Sequence, residues 1–93
     1  MSVVRVTTIT FESDKAADSA VESYVKNAPT DFPEAKQLLG IHSEGNVFIA
    51  VSLYADNEAM ERATATRGKA LASIQGIVSV DTKVGTVEIN LSR

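Results

Sequence analysis

Apolar positions recur along this chain at spacings of two and of three or four, and the switches between them outline the order β-α-β-β-α-β. Val3 to Phe11, rich in Val, Thr and Ile, predicts a first strand. Ser13 or Asp14 can cap a helix, and Ala17, Val21, Tyr24, Val25 and Ala28 follow at helical spacing. Pro29 predicts its end, because proline disfavours the helical conformation at Ala28 and lacks an N–H; Thr30 to Pro33 then forms a loop. Ala35 to His42 and Val47 to Tyr54 predict a hairpin around Gly45-Asn46. Asp56 or Asn57 opens a second helix, with Glu58 at the positive end of its dipole and Met60, Ala63, Ala70, Leu71 and Ile74 as the buried stripe. Gly68 inside that helix predicts a close contact or a bend, and Gly76 a C-terminal stop. Val78, Val80, Thr82 and Val84 alternate, and Val87, Ile89 and Leu91 resume out of phase beside Gly85. This predicts a long, bent last strand, or two strands parted there.

A two-residue turn at Glu44-Gly45 or Gly45-Asn46 puts Leu38, Gly40, His42, Val47, Ile49, Val51 and Leu53 on one face of the hairpin. Leu39, Ile41, Ser43, Phe48, Ala50, Ser52 and Tyr54 share the other; a one-residue bulge would swap half of this assignment. The element order predicts an α+β fold, a ferredoxin-like βαββαβ sandwich whose antiparallel sheet carries two helices on one face. The aliphatic face is expected to meet the helices, leaving Ile41, Phe48, Ala50 and Tyr54 uncovered. A second copy would cover that apolar surface, giving a homodimer, with the tail from Thr86 to Leu91 extending the interface. The alternative is a monomer, for which polar Ser43 and Ser52 on the same face speak.

The chain's 93 residues suit one domain, residues 1–93, that buries about 60–65% of its unfolded surface. Net charge is −3 and the nine Lys and Arg residues are scattered, which disfavours nucleic acid as a partner. Neither helix pairs a cationic face with bulky apolar residues, which disfavours a membrane surface. With no cysteine and one histidine, neither a disulfide framework nor a transition-metal site is expected. Without a signal-peptide pattern at Met1 to Arg5, a cytoplasmic location is expected.

Leu53-Tyr54-Ala55-Asp56-Asn57-Glu58-Ala59-Met60 resembles the antibiotic-biosynthesis-monooxygenase-like family of dimeric α+β barrels. There an aromatic residue ends the third strand, and a short cap, Glu-Ala and a large apolar residue open the helix. Element order agrees from Val3 to Leu91. The resemblance implies two sheets packed face to face across a dimer, a pocket in each subunit, and cofactor-free chemistry. This chain departs from it: Trp is absent, and Ala63 stands where many members place a His.

Candidate pocket residues are Tyr54, Phe48, Ser52, Ile41 and His42. The Tyr54 hydroxyl could bond a phenolic or carbonyl ligand, or it could belong to an interface aromatic. Phe48 and Ile41 could line a cavity, or simply pack. His42 has a pKa suited to a general base but no evident partner, and a hairpin-end surface histidine is the plainer reading. Tyr24 falls on the apolar stripe. Asn46 suits a turn and Asn27 a helix end. No nucleophile elbow, phosphate loop, dinucleotide fingerprint or carboxylate pair is present. The functions in play are a cofactor-independent monooxygenase-like enzyme acting on an aromatic or polyketide-like small molecule, a module that binds such a molecule, and a structural dimerisation domain.

Overall fold

The computed structural model describes residues 1–93, in the order β1 (Val3–Phe11), α1 (Asp14–Asp31), β2 (Gln37–Ser43), β3 (Val47–Tyr54), α2 (Asn57–Ser73) and β4 (Ile77–Thr86). The strands pair antiparallel in one sheet ordered β2-β3-β1-β4, the ferredoxin-like arrangement. β1 lies inside the sheet, and its residues alternate between buried and half-buried. Val3, Arg5, Thr7, Ile9 and Phe11 point toward the helices, and Val4, Val6, Thr8 and Thr10 point away.

Ser13 caps α1, accepting from the Ala16 N–H at 3.1 Å, and Asp56 caps α2, accepting from the Ala59 N–H at 2.8 Å. Pro29 does not end α1. The helix carries it in the last turn and closes at Phe32, whose N–H reaches the Ala28 carbonyl at 2.9 Å. So near the C-terminus, proline removes only the bond to Val25. That residue is 67% exposed and stands outside the buried stripe of Ala17, Ala20 and Ala28. Gly68 has no atom within 4 Å of where a Cβ would stand, so no close contact explains it.

The hairpin turn holds three residues, not two. Ser43 pairs with Val47, and Glu44, Gly45 and Asn46 lie between them, with φ of 54° at Glu44 and 73° at Gly45. One extra turn residue inverts the third strand relative to the expected faces. Phe48, Ala50, Ser52 and Tyr54 therefore join Leu38, Gly40 and His42 on the helix side. Val47, Ile49, Val51 and Leu53 join Leu39 and Ile41 on the open side. Two buried clusters fill the helix side: Ile9, Phe11 and Phe48 with Ala17 and Ala20, and Val3 and Tyr54 with Ala59 and Met60. The small alanines bring α1 close enough for the aromatic rings to fill the gap.

The open side is uncovered and apolar. Val4, Val6, Val47, Ile49, Val51 and Leu53 are half-buried, and Leu39 and Ile41 are 49% and 45% exposed. β4 ends at Thr86, and its one irregularity is a bulge at Val78 opposite Thr10 and Phe11, not at Gly85, which pairs with Val4 in register. The phase change near Gly85 marks the end of the strand. Beyond it Val87 donates to the Ser2 carbonyl at 3.0 Å, and Ile89 and Leu91 are exposed. No helix is long and apolar enough to cross a membrane.

Candidate functional site

Between the sheet and the two helices lies a cavity of about 70 Å³. Phe48, Tyr54 and Tyr24 form its aromatic wall, and Ala70 and Leu71 of α2 with Ile74 at its C-cap close it on the helix side. Tyr24 meets Phe48 edge-on, with ring centroids 5.0 Å apart. The polar lining consists of Arg5, Thr7, Ser52 and Arg67, together with the two tyrosines. No carboxylate, imidazole or thiol is among the lining groups.

Arg5 occupies an inward position of β1 and is only 7% exposed. Its guanidinium carbon stands 6.0 Å from the centroid of the Tyr54 ring, a cation–π approach. One terminal nitrogen donates weakly to the Thr64 hydroxyl at 3.5 Å; the other is buried with no partner. Arg67 reaches across from α2 and donates to the Thr7 hydroxyl at 3.1 Å and the Thr82 hydroxyl at 2.8 Å. Burial, and then the Arg5 charge, pull its pKa below the usual guanidinium value. The Tyr24 hydroxyl is buried and forms no hydrogen bond of good geometry. Burial pushes its pKa up, Tyr54 adds to that, and the Ser52 hydroxyl opposes it in part.

Of the five sequence candidates, the fold brings Tyr54, Phe48 and Ser52 to this cavity. Ile41 lies on the opposite face of the sheet, paired with Ile49, as the odd positions of both strands do. His42 shares the helix side but stands at the hairpin end, outside the cavity. Its Nε2 is 2.7 Å from the Gly45 carbonyl and 3.8 Å from an exposed Asp18 carboxylate, so it braces the turn.

Arg5, Arg67 and the Tyr24 hydroxyl were missed by the sequence reading, yet both arginines left a trace. Arg5 interrupts the inward series Val3, Thr7, Ile9, Phe11, and Arg67 sits in the stripe of Met60, Ala63, Ala70, Leu71 and Ile74. A charge at an inward position of an otherwise apolar pattern is the signal.

No protein-family model matches this chain, and no curated protein sequence does. Solved structures match its fold over nearly the whole length. A monooxygenase from the gene ActVA-Orf6 of Streptomyces coelicolor, in complex with nanaomycin D, aligns over 98% of this chain and 91% of its own, at 15% identity and a TM-score of 0.77. SnoaB, a cofactor-independent oxygenase from Streptomyces nogalater, aligns over 99% and 98%, at 16% identity and a TM-score of 0.66. A dimeric ferredoxin-like protein from an uncultured marine organism aligns over 99% and 92%, at 10% identity and a TM-score of 0.78. The chain therefore has the ferredoxin-like fold found in these solved structures.

Proposed function

We propose that this chain is a cytoplasmic, homodimeric α+β barrel enzyme of the cofactor-independent monooxygenase type, acting on an aromatic or polyketide-like small molecule held between sheet and helices. The observation that carries the reading is the aromatic-walled cavity, in a fold shared end to end with oxygenases. The dimer is supported by the uncovered aliphatic face around Val51, too apolar for a surface left to water.

The chemistry suits a ring methylene activated by neighbouring phenol or carbonyl groups. Loss of a proton leaves an electron-rich enolate that can reduce dioxygen directly. A C–O bond forms, the O–O bond breaks, and water leaves, so that CH₂ and O₂ become C=O and H₂O. Phe48, Tyr24 and Tyr54 would hold the ring, Ser52 would offer a hydroxyl to its oxygen, and the apolar walls would admit dioxygen while excluding bulk water. A cavity of about 70 Å³ accommodates one edge of such a ring system. Pockets enclosing larger ligands run to roughly 300–1,000 Å³, so a polycyclic substrate requires α2 to lift. That helix buries only Ala59 and Met60, at its N-terminal end.

Oxygen uptake with anthrone and quinol substrates tests the reading. Ser52→Ala is expected to slow turnover about tenfold, the scale of one lost hydrogen bond of roughly 1.4 kcal/mol. His42→Ala, outside the cavity, is expected to leave it unchanged. If no substrate is converted but one raises the melting temperature, the chain binds such molecules without oxidising them, and the enzyme reading fails.

A further inference from the structure

The cavity holds two guanidiniums and no counter-charge. The ion pairs of the chain are Arg62–Glu34 and Lys83–Asp81, and neither Arg5 nor Arg67 takes part in one or in the 3.8 Å contact of His42 with Asp18. Both instead borrow hydroxyls, from Thr64, Thr7 and Thr82, which carry no charge. Arginine does not deprotonate at any ordinary pH, so burial leaves the charge in place. Two like charges lining one small cavity disfavour each other, and a buried cation without a charged partner is costly, which applies to Arg5 in full and to half-buried Arg67 in part. One Arg5 nitrogen and the Tyr24 hydroxyl are left with unused hydrogen-bonding capacity in the same space.

We propose that Arg5 and Arg67 form an oxyanion-binding subsite, and that the ligand of this cavity is an aromatic acid: a ring bearing an ionised phenol or a carboxylate. The inference rests on the reading of the cavity as a ligand site and narrows it. The fork of guanidinium donors matches a planar, delocalised oxyanion, while Phe48 and Tyr54 flank the ring that carries it. The Tyr24 hydroxyl donates to the same oxygen or its neighbour. With no imidazole or carboxylate in the cavity to act as base, the guanidiniums take over part of that task. They stabilise the anion and so lower the pKa of the bound phenol, whose proton goes to water.

The test uses 4-nitrophenol, whose yellow anion reports its own ionisation, with uncharged 4-nitroanisole and anionic 4-nitrobenzoate beside it. Binding is measured by calorimetry and absorbance, under nitrogen. The expected results are binding of 4-nitrophenol and 4-nitrobenzoate at least about tenfold tighter than 4-nitroanisole, and an apparent phenol pKa lowered by about one unit or more on the protein. Arg67→Gln should abolish both effects, Arg67→Lys should restore part of them, and Arg62→Gln, an exposed arginine paired with Glu34, should change neither. Circular dichroism of the Arg67 variants separates lost binding from lost folding.

Equal affinity for 4-nitroanisole overturns the oxyanion subsite while leaving the cavity a ligand site. Unchanged pKa shift in Arg67→Gln overturns it too, as does failure of all three probes to bind. Tight, charge-selective binding by a protein that oxidises no substrate upholds the subsite and removes the oxygenase.

Discussion

The Phe48 ring abuts the position that a side chain on Gly40 would take. A Cβ at Gly40 would lie 3.0 Å from Phe48 Cζ and 3.5 Å from Tyr24 Cε1. Phe48 is 3% exposed, and Ile9, Phe11 and Tyr24 hem it in. Gly40→Ala displaces the ring by a few tenths of an ångström, and the cavity that Phe48 lines offers free volume to receive it. Overpacking of this kind costs about 1–3 kcal/mol, and replacing glycine in a strand returns roughly 0.5–1. The expected net loss is about 1 kcal/mol, read from urea denaturation, together with weaker ligand binding as Phe48 fills the cavity. A variant as stable as the parent, with unchanged binding, would show that the ring moves elsewhere.

Tyr24 carries a stability cost that phenylalanine would remove. Its hydroxyl is buried without a good partner, and such a group costs about 1–3 kcal/mol when left unsatisfied. Tyr24→Phe is expected to raise stability at neutral pH by up to about 1 kcal/mol while weakening anion binding in the cavity. The pH dependence has a definite sign. In the unfolded chain the phenol ionises near 10.0, and in the fold burial holds its pKa above that. Above about pH 10 the unfolded state has therefore released a proton that the folded state still keeps, and stability falls as pH rises toward the folded value. Parallel denaturation curves at neutral and alkaline pH check this: the alkaline loss should be smaller in Tyr24→Phe.

The fold was legible because its signals are local. The Ser13 and Asp56 caps, the alternation of β1 and the apolar run of β3 each point to one element without help from the rest. The faces were not legible, because they depend on a single count. Whether two or three residues make the turn between Ser43 and Val47 decides on which side Tyr54 and Phe48 fall, and Glu44 at a φ of 54° is a conformation uncommon outside glycine and asparagine. Pro29 misled for a related reason: a proline that breaks a helix in its middle is tolerated in the last turn. The cavity's charge came from residues far apart in the chain, Arg5 and Arg67, and each alone resembles an ordinary surface arginine. Only the register of their neighbours turns them inward.

The corrected faces move the expected dimer contact. Val51 lies at the middle of the open side, paired with Val6 on one flank and Leu39 on the other. Val51→Lys places a charge at that point in both copies of a twofold interface. Burying an unpaired ammonium there is prohibitive, and each lost valine forfeits about 1.5 kcal/mol or more. The dimer dissociation constant is expected to rise at least about a hundredfold, so that sedimentation at micromolar concentration gives a monomer, while far-ultraviolet circular dichroism keeps the parent's shape. A parent protein that is itself monomeric at that concentration removes the barrel.

Gly68 is an open position inside α2 at which a methyl group would stiffen the helix. It sits in the interior of α2, next to Arg67, with open space around the position a methyl group would take and no positive φ to require it. Alanine there adds about 1 kcal/mol of helix propensity and creates no clash. Gly68→Ala should therefore raise the melting temperature by several degrees in a chain of this size. If α2 must bend or fray near Gly68 to admit a ring larger than the present cavity, the same change slows ligand entry and leaves the affinity for a single-ring anion intact. Stopped-flow binding of 4-nitrophenol and of a naphthol analogue checks this: equal rates for both ligands in parent and variant would mean that α2 moves as a rigid body or not at all.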